Sequence, residues 1–313
     1  MKYGKIAGLD ADISRLVLGT MVCNLKDQGL SNDLLDTFVA AGGNCVDTAY
    51  IYAGGESEKA LGVWMQARNN RQKVVILGKG AHPDSASKVN AKGINGDIAT
   101  SLERLQTDYM ELYLLHRDDL NTPIGEIVET LNAQKAAGKI GVFGGSNWTT
   151  ARIDEANAYA SAHGLTGFSA SSPHLGLAKV NEAMWGGCIA ADEADRAWHK
   201  SKQFPMFPWS SQSSGFFTGM FKPEDLSHKD IVRVYYSEEN WERLKRAQSL
   251  AVQKGATSHQ IALAYVLAQP FPIFPLIGPR TVSELNDSLP AVDLSLTERE
   301  IKWLNLESAS LEV

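Results

Sequence analysis

Short apolar runs alternate with amphipathic stretches along most of this chain. Eight runs have strand length and strand-like content: 16–19, 44–48, 74–78, 110–116, 140–146, 167–171, 205–209 and 273–278. Between them, apolar positions recur every three or four residues and helix punctuation is plain. Ser31 precedes a periodic stretch that Gly42 and Gly43 end, and Glu56 opens another. Residues 94–105 show helical spacing, Pro123 opens a helix stopped by Gly138, and Thr149 opens one stopped by Gly164. Residues 191–202 and 238–254 are further helices. Thr257 with Gln260, and Thr281 with Glu284, have the form of capping boxes.

Strand–helix alternation implies parallel strands joined by crossover helices. Eight units in a chain of 313 residues predict a single (β/α)8 TIM barrel, an α/β domain covering residues 1–313. A doubly wound open sheet is the alternative, but it usually carries a glycine-rich phosphate turn at its first strand. Neither G-x-G-x-x-G nor G-x-x-x-x-G-K-[ST] occurs here. The first twelve residues are expected to form a small hairpin closing one end of the barrel. Long loops at 177–190 and 211–237 are expected at the other, C-terminal face, where long loops tend to be functional.

Composition narrows the function. Hydrophobic residues make up 44% and charged residues 21%, an ordinary globular balance. The net charge is −6 with no basic cluster longer than Lys245-Arg246, so no nucleic-acid partner is expected. No run approaches a membrane span, and the N-terminal stretch has no signal-peptide core, so the expectation is a cytoplasmic protein without a membrane partner. Cys23, Cys45 and Cys188 are read as reduced thiols, with no metal site. A monomer is the default.

In a closed barrel, chemistry gathers at the C-terminal strand ends. Three successive strand runs each end in a polar residue: Asp47, Lys79 and His116. Period two places Val75, Leu77 and Lys79 on one face, and Leu112, Leu114 and His116 on one face of the next. If both faces point inward, the three groups converge, with Tyr52 in the loop five residues beyond Asp47. A buried Lys79 needs a partner charge, which Asp47 would supply. An ammonium beside Tyr52 would lower the phenol pKa and make it a usable general acid, and His116 would orient a substrate carbonyl. Trp148, Trp185, Phe216 and Phe217 fall in or beside mouth loops and suggest an apolar substrate pocket.

Asp47-Thr48-Ala49-Tyr50-Ile51-Tyr52-Ala53-Gly54 resembles the D-T-A-x-x-Y-G signature of the aldo-keto reductases. Leu77-Gly78-Lys79-Gly80 and Leu114-Leu115-His116-Arg117-Asp118 resemble their catalytic-lysine and catalytic-histidine motifs. Gly144-Gly145-Ser146-Asn147 and Ile277-Gly278-Pro279-Arg280 resemble their cofactor segments, in the family's order. The resemblance implies NADPH-dependent reduction of a small-molecule aldehyde or ketone, with Tyr52 as proton donor tuned by Lys79 and Asp47. It implies cofactor contacts from Asp47, Ser146, Asn147, Ser172, Trp209, Ser210, Gly278, Arg280, Thr281, Glu284 and Ser288. Trp209 stands where the family usually has Tyr, Ser172 where it often has Gln, and Glu284 and Ser288 where it has Gln and Asn. Two other classes stay open at this point: a barrel enzyme using Lys79 as a Schiff-base amine, and an NADPH-binding redox-sensing subunit without turnover.

Overall fold

The computed structural model describes residues 1–84 and 86–311. A two-stranded antiparallel hairpin, β1 (Tyr3–Gly4) and β2 (Ile13–Ser14), comes first. Then β3 (Val17–Gly19), β4 (Cys45–Asp47), β5 (Val75–Gly80), β6 (Met110–Leu115), β7 (Ile140–Ser146), β8 (Ala170–Ser172) and β9 (Leu276–Ile277) form one sheet. Its order is β8-β7-β6-β5-β4-β3-β9, and every pairing is parallel. The connections carry α1 (Gln28–Ala40), α2 (Glu56–Arg68), α3 (Ala91–Leu105), α4 (Ile124–Ala136) and α5 (Thr150–Ala162). After β8 come α6 (Glu193–Lys202), α7 (Lys229–Tyr235), α8 (Glu238–Lys254) and α9 (Ser258–Leu267); α10 (Val282–Ser288) and α11 (Glu298–Leu304) follow β9.

The sheet is curled, and the 205–209 segment spans the gap between its edges. Phe207 donates its N–H to Ser171 O at 2.8 Å, and Phe274 donates to Met206 O at 2.8 Å. The sequence expectation of a regular strand here needs correction. Pro205 and Pro208 have no N–H to give, so the segment makes isolated parallel bridges through Met206 instead of a ladder. Prolines also flank the shortened neighbours: Pro173 follows β8 and Pro275 precedes β9, so the runs expected at 167–171 and 273–278 pair over only three and two residues.

Strand alternation sorts the apolar residues into two layers. Cys45, Val75, Leu77, Leu112, Leu114, Val142, Ala170, Phe207 and Leu276 pack together inside the curl. Val46, Ile76, Tyr113, Leu115, Phe143 and Ile277 face the helices. Ile6 and Ile13 of the hairpin belong to the inner group, so the hairpin closes that end, as expected. A third cluster lies under α8 and α9 and takes up residues from both long loops. The 211–237 loop is more ordered than its length suggests, holding a 3-10 turn (Ser213–Thr218) and α7.

Helix starts follow the capping rules closely. Thr257 and Gln260 form the complete box expected at α9, and Thr149 caps α5. The first helix begins earlier than Ser31, because Asp27 takes the cap by accepting from Leu30 N at 3.1 Å; Ser31 lies inside α1. At α10, Thr281 caps as expected, but Glu284 accepts from the N–H of Arg280 at 2.7 Å, leaving the box half formed.

The closeness of β7 to β8 sets a sharp steric condition. A Cβ on Gly144 would lie 1.9 Å from the backbone oxygen of Ala170, where no side chain can give way. Gly144→Ala should therefore lower unfolding free energy by about 3 kcal/mol, by overpacking. Gly96, exposed in α3 with nothing near its missing Cβ, is the control. Gly96→Ala should raise stability by about 0.8 kcal/mol through helix propensity. Denaturant melts of the two variants check both signs.

Candidate active site

Inner-face alternation carries Asp47, Lys79 and His116 to one rim. Asp47 pairs in register with Leu77, and Lys79 with Leu114, so successive strands stagger their terminal polar residues around the same mouth. Asp47 is 1% exposed and Lys79 is 2% exposed, so each needs the other. The Lys79 ammonium donates to Asp47 Oδ1 and also reaches the Tyr52 hydroxyl, at 3.4 Å. Burial pushes the Asp47 carboxyl up and the Lys79 amine down, against their mutual attraction.

Tyr52 is delivered by a tightly pinned loop. Ala53, Gly54 and Gly55 all have positive φ (50°, 66° and 92°), which for alanine is a strained conformation. Gly55 suits its place on two counts, since its φ of +92° disfavours a side chain and a Cβ there would press on the Arg104 guanidinium, 2.5 Å away. Arg104 in turn donates to Tyr50 O at 2.9 Å and pairs with the fully buried Glu58 at 3.1 Å. This arrangement separates the two loop tyrosines. The Tyr50 ring sits against the cations of Lys88 and Arg104, at 4.4 and 4.5 Å, whereas the Tyr52 hydroxyl reaches Lys79.

The expected lowering of the Tyr52 pKa does not occur. Burial pushes it well above the ordinary phenol value, the Asp47 carboxylate adds to the rise, and Arg117 opposes it. Burial and the Asp47 carboxylate thus outweigh the Arg117 cation. Tyr52 consequently keeps its proton throughout the neutral range.

His116 follows β6 and meets Tyr52 edge to face, with ring centroids 5.8 Å apart. Its other neighbour is His82, edge-on at 5.1 Å. Burial first, then Lys79, Arg117 and His82, hold the His116 pKa well below the usual imidazole value, so the ring is neutral at pH 7. Its Nδ1 is buried without a hydrogen-bond partner among the described residues.

The second expected group lies beyond β7 and β8. Ser146 donates to Ser172 O at 2.9 Å, and Ser172 donates its own hydroxyl to Phe207 O at 2.6 Å. These bonds tie the fully buried Ser172 both to Ser146 and to the 205–209 segment. Asn147, at φ +60°, is the hub. Its Nδ2 donates to Ser146 Oγ at 3.1 Å and His116 O at 3.3 Å, and its Oδ1 accepts from Trp209 Nε1 and Ile189 N, both at 3.2 Å. Trp209 is thereby fixed half-buried at the rim, flanked by His174 at 4.9 Å and Trp185 at 5.8 Å. Ser210, at φ +49°, follows it.

At the β9 end, Gly278, Arg280, Thr281 and Glu284 are exposed. Glu284 caps a backbone N–H and makes no ion pair with Arg280, whose guanidinium has no ion-pair partner among the described residues. Ser288 is buried, donating to Glu284 O and accepting from Gln212 Nε2, each at 2.9 Å.

Three of the four expected pocket aromatics belong to the core. Trp148 is 2% exposed, bonded to Arg117 O at 3.0 Å and packed on Phe168. Phe216 and Phe217 are fully buried, Phe216 against Trp241 at 4.7 Å. Loop position misled because the loops fold back over their own apolar residues. Trp185 alone, 54% exposed, remains at the mouth. Conversely, sequence reasoning passed over His82 and Arg117. His82 lies three residues after Lys79, and Arg117 sits within the histidine motif itself, one residue after His116.

Residues 15–305 match the model of the Aldo/keto reductase family. A norsolorinic acid reductase of Aspergillus flavus is 31% identical over 94% of this chain and 77% of its own length. An uncharacterized oxidoreductase of Bacillus subtilis is 29% identical, over 97% of this chain and 95% of its own. In structure, the glycerol dehydrogenase of Gluconobacter oxydans superposes with a TM-score of 0.79, covering 97% of this chain and 94% of that one at 22% identity, a likeness of fold. With the match spanning nearly its whole length, the chain belongs to the aldo/keto reductase family, whose members generally use nicotinamide cofactors.

Proposed function

We propose that this chain reduces an aldehyde or ketone to an alcohol at the expense of NADPH, with Tyr52 as general acid. The observation that carries the reading is Lys79 bridging the Asp47 carboxylate and the Tyr52 hydroxyl at a rim shared with His116. A nicotinamide bound there supplies the hydride. Tyr52 gives its proton to the carbonyl oxygen, and its raised pKa keeps that proton in place until the oxygen becomes basic. Lys79 takes up the phenolate's charge as it forms, with Asp47 keeping the amine protonated in its buried position. Neutral His116 orients the carbonyl oxygen by a hydrogen bond rather than by charge.

The residues present fit the cofactor. Trp209 offers an indole face locked by Asn147, the unpartnered His116 Nδ1 is the kind of atom a bound group satisfies, and the Arg280 guanidinium is exposed with no ion pair among the described residues. Arg280 would hold the phosphate that distinguishes NADPH from NADH. That role rests on the guanidinium, because the backbone N–H of Arg280 is already taken by Glu284. The same reading treats 205–209 as the eighth stave of a (β/α)8 barrel, supported by its hydrogen bonds to both sheet edges. A Schiff-base role for Lys79 fits less well, because its nitrogen is engaged by Asp47.

Tyr52→Phe should lower kcat for a reactive aldehyde by at least about 10³-fold, while quenching of tryptophan fluorescence shows NADPH still bound. Retained turnover in that variant, with loss in Tyr50→Phe, would assign the acid to the wrong tyrosine. For the cofactor, wild type should bind NADPH at least about tenfold more tightly than NADH, roughly 1.4 kcal/mol. Arg280→Ala should erase that difference by weakening NADPH alone. Equal weakening of both cofactors in a Kd titration would remove Arg280 from phosphate recognition.

A further inference from the structure

Three arginines are at least nine-tenths buried among the described residues: Arg117, Arg152 and Arg243. Two of them have acids. Arg152 pairs with Asp118 at 3.4 Å and Glu155 at 2.8 Å, and Arg243 pairs with Glu239 at 3.4 Å. Arg117, 8% exposed, has none within ion-pair distance among the described residues. The adjacent acid, Asp118, is the one held by Arg152. Arg117 instead donates to two backbone carbonyls, Nη1 to His116 O at 2.8 Å and Nε to Gly186 O at 3.3 Å. A guanidinium has five N–H donors, and carbonyl dipoles do not neutralise its charge.

Its position makes the missing acid informative. Arg117 follows His116, whose ring touches both Tyr52 and His82. On its far side is the loop carrying Trp185 to Cys188. Gly187, at φ +71°, packs so closely that a Cβ there would lie 3.3 Å from Arg117 Cδ, and Trp185 leans from the same loop onto Trp209. Arg117 is close enough for its charge to act on Tyr52, His116 and His82 alike. The uncompensated cation therefore lies in the wall between the reacting group and the mouth loop.

We propose that Arg117 is an anion subsite of the substrate pocket, and that the favoured substrates are aldehydes or ketones bearing a carboxylate. This rests on the carbonyl-reductase reading above. A carboxylate arriving beside Arg117 supplies the counter-charge that the chain withholds, and a guanidinium binds it through two parallel hydrogen bonds. The carbonyl would then point toward Tyr52 and His116. A neutral substrate of the same size leaves the buried charge unmatched. Arg117 thus selects substrate, while Tyr52 carries the chemistry.

The test compares 2-, 3- and 4-carboxybenzaldehyde with their methyl esters, using NADPH and the full chain. At least one acid should have a KM about tenfold or more below that of its ester. Arg117→Met should abolish that ratio, which cancels any loss common to both substrates. Arg117→Lys, which keeps the charge, should retain part of it. If Arg117→Met does not fold, Arg117→Gln, still able to donate to the His116 carbonyl, replaces it with the same expectation. Equal KM values for acids and esters in wild type, or a ratio that survives loss of the charge, would show Arg117 to be only a clamp on the Gly186 loop. Absence of NADPH oxidation with every aldehyde would instead bring down the reductase reading, and this inference with it.

Discussion

One buried ion pair organises the catalytic rim. An ammonium and a carboxylate with almost no exposure tolerate each other's company only at contact distance, and losing either leaves a bare charge in an apolar interior. That requirement ties the end of β4 to the end of β5 more strictly than the hydrophobic layers do, because apolar packing is non-directional. Such pairs are poor sources of stability compared with packed apolar residues. Its presence at the strand ends is therefore better explained by what it touches: the hydroxyl of Tyr52, held beside it by a loop in strained left-handed backbone.

The support of that loop lies outside the site. Glu58 and Arg104, on α2 and α3, fix the carbonyl of Tyr50, and the Arg104 guanidinium packs against Gly55. A comparable arrangement on the opposite side uses Asn147, whose amide ties the end of β6, the end of β7, the loop at Ile189 and the indole of Trp209 into one hydrogen-bonded unit. The two sides are preorganised by different means, ionic on one and amide-based on the other.

What the sequence revealed was what depends on period. Two-residue alternation put Lys79 and His116 on inward faces, and the inner apolar cluster follows that alternation strand by strand. Caps with a local partner, such as Thr257 and Gln260, were equally legible. What remained hidden depended on contacts distant in the chain. The 205–209 segment has the composition of a strand, but its prolines allow only bridges. Phe216 and Phe217 look like mouth residues until α8 and α9 are brought over them. The direction of the Tyr52 pKa shift could not be read from a nearby lysine alone, since burial and the Asp47 carboxylate both push it up. Arg117 was visible as a residue, but that no acid pairs with it among the described residues is a property of the fold and not of the local sequence.

The N-terminal hairpin sets a further condition. Ile6 and Ile13 plug the inner cluster from below, so the strand ends open in one direction only. Those two side chains keep water from the apolar layer beneath the ion pair. The low-dielectric surroundings that force Asp47 and Lys79 together are thus maintained in part by two short strands at the far end of the curl.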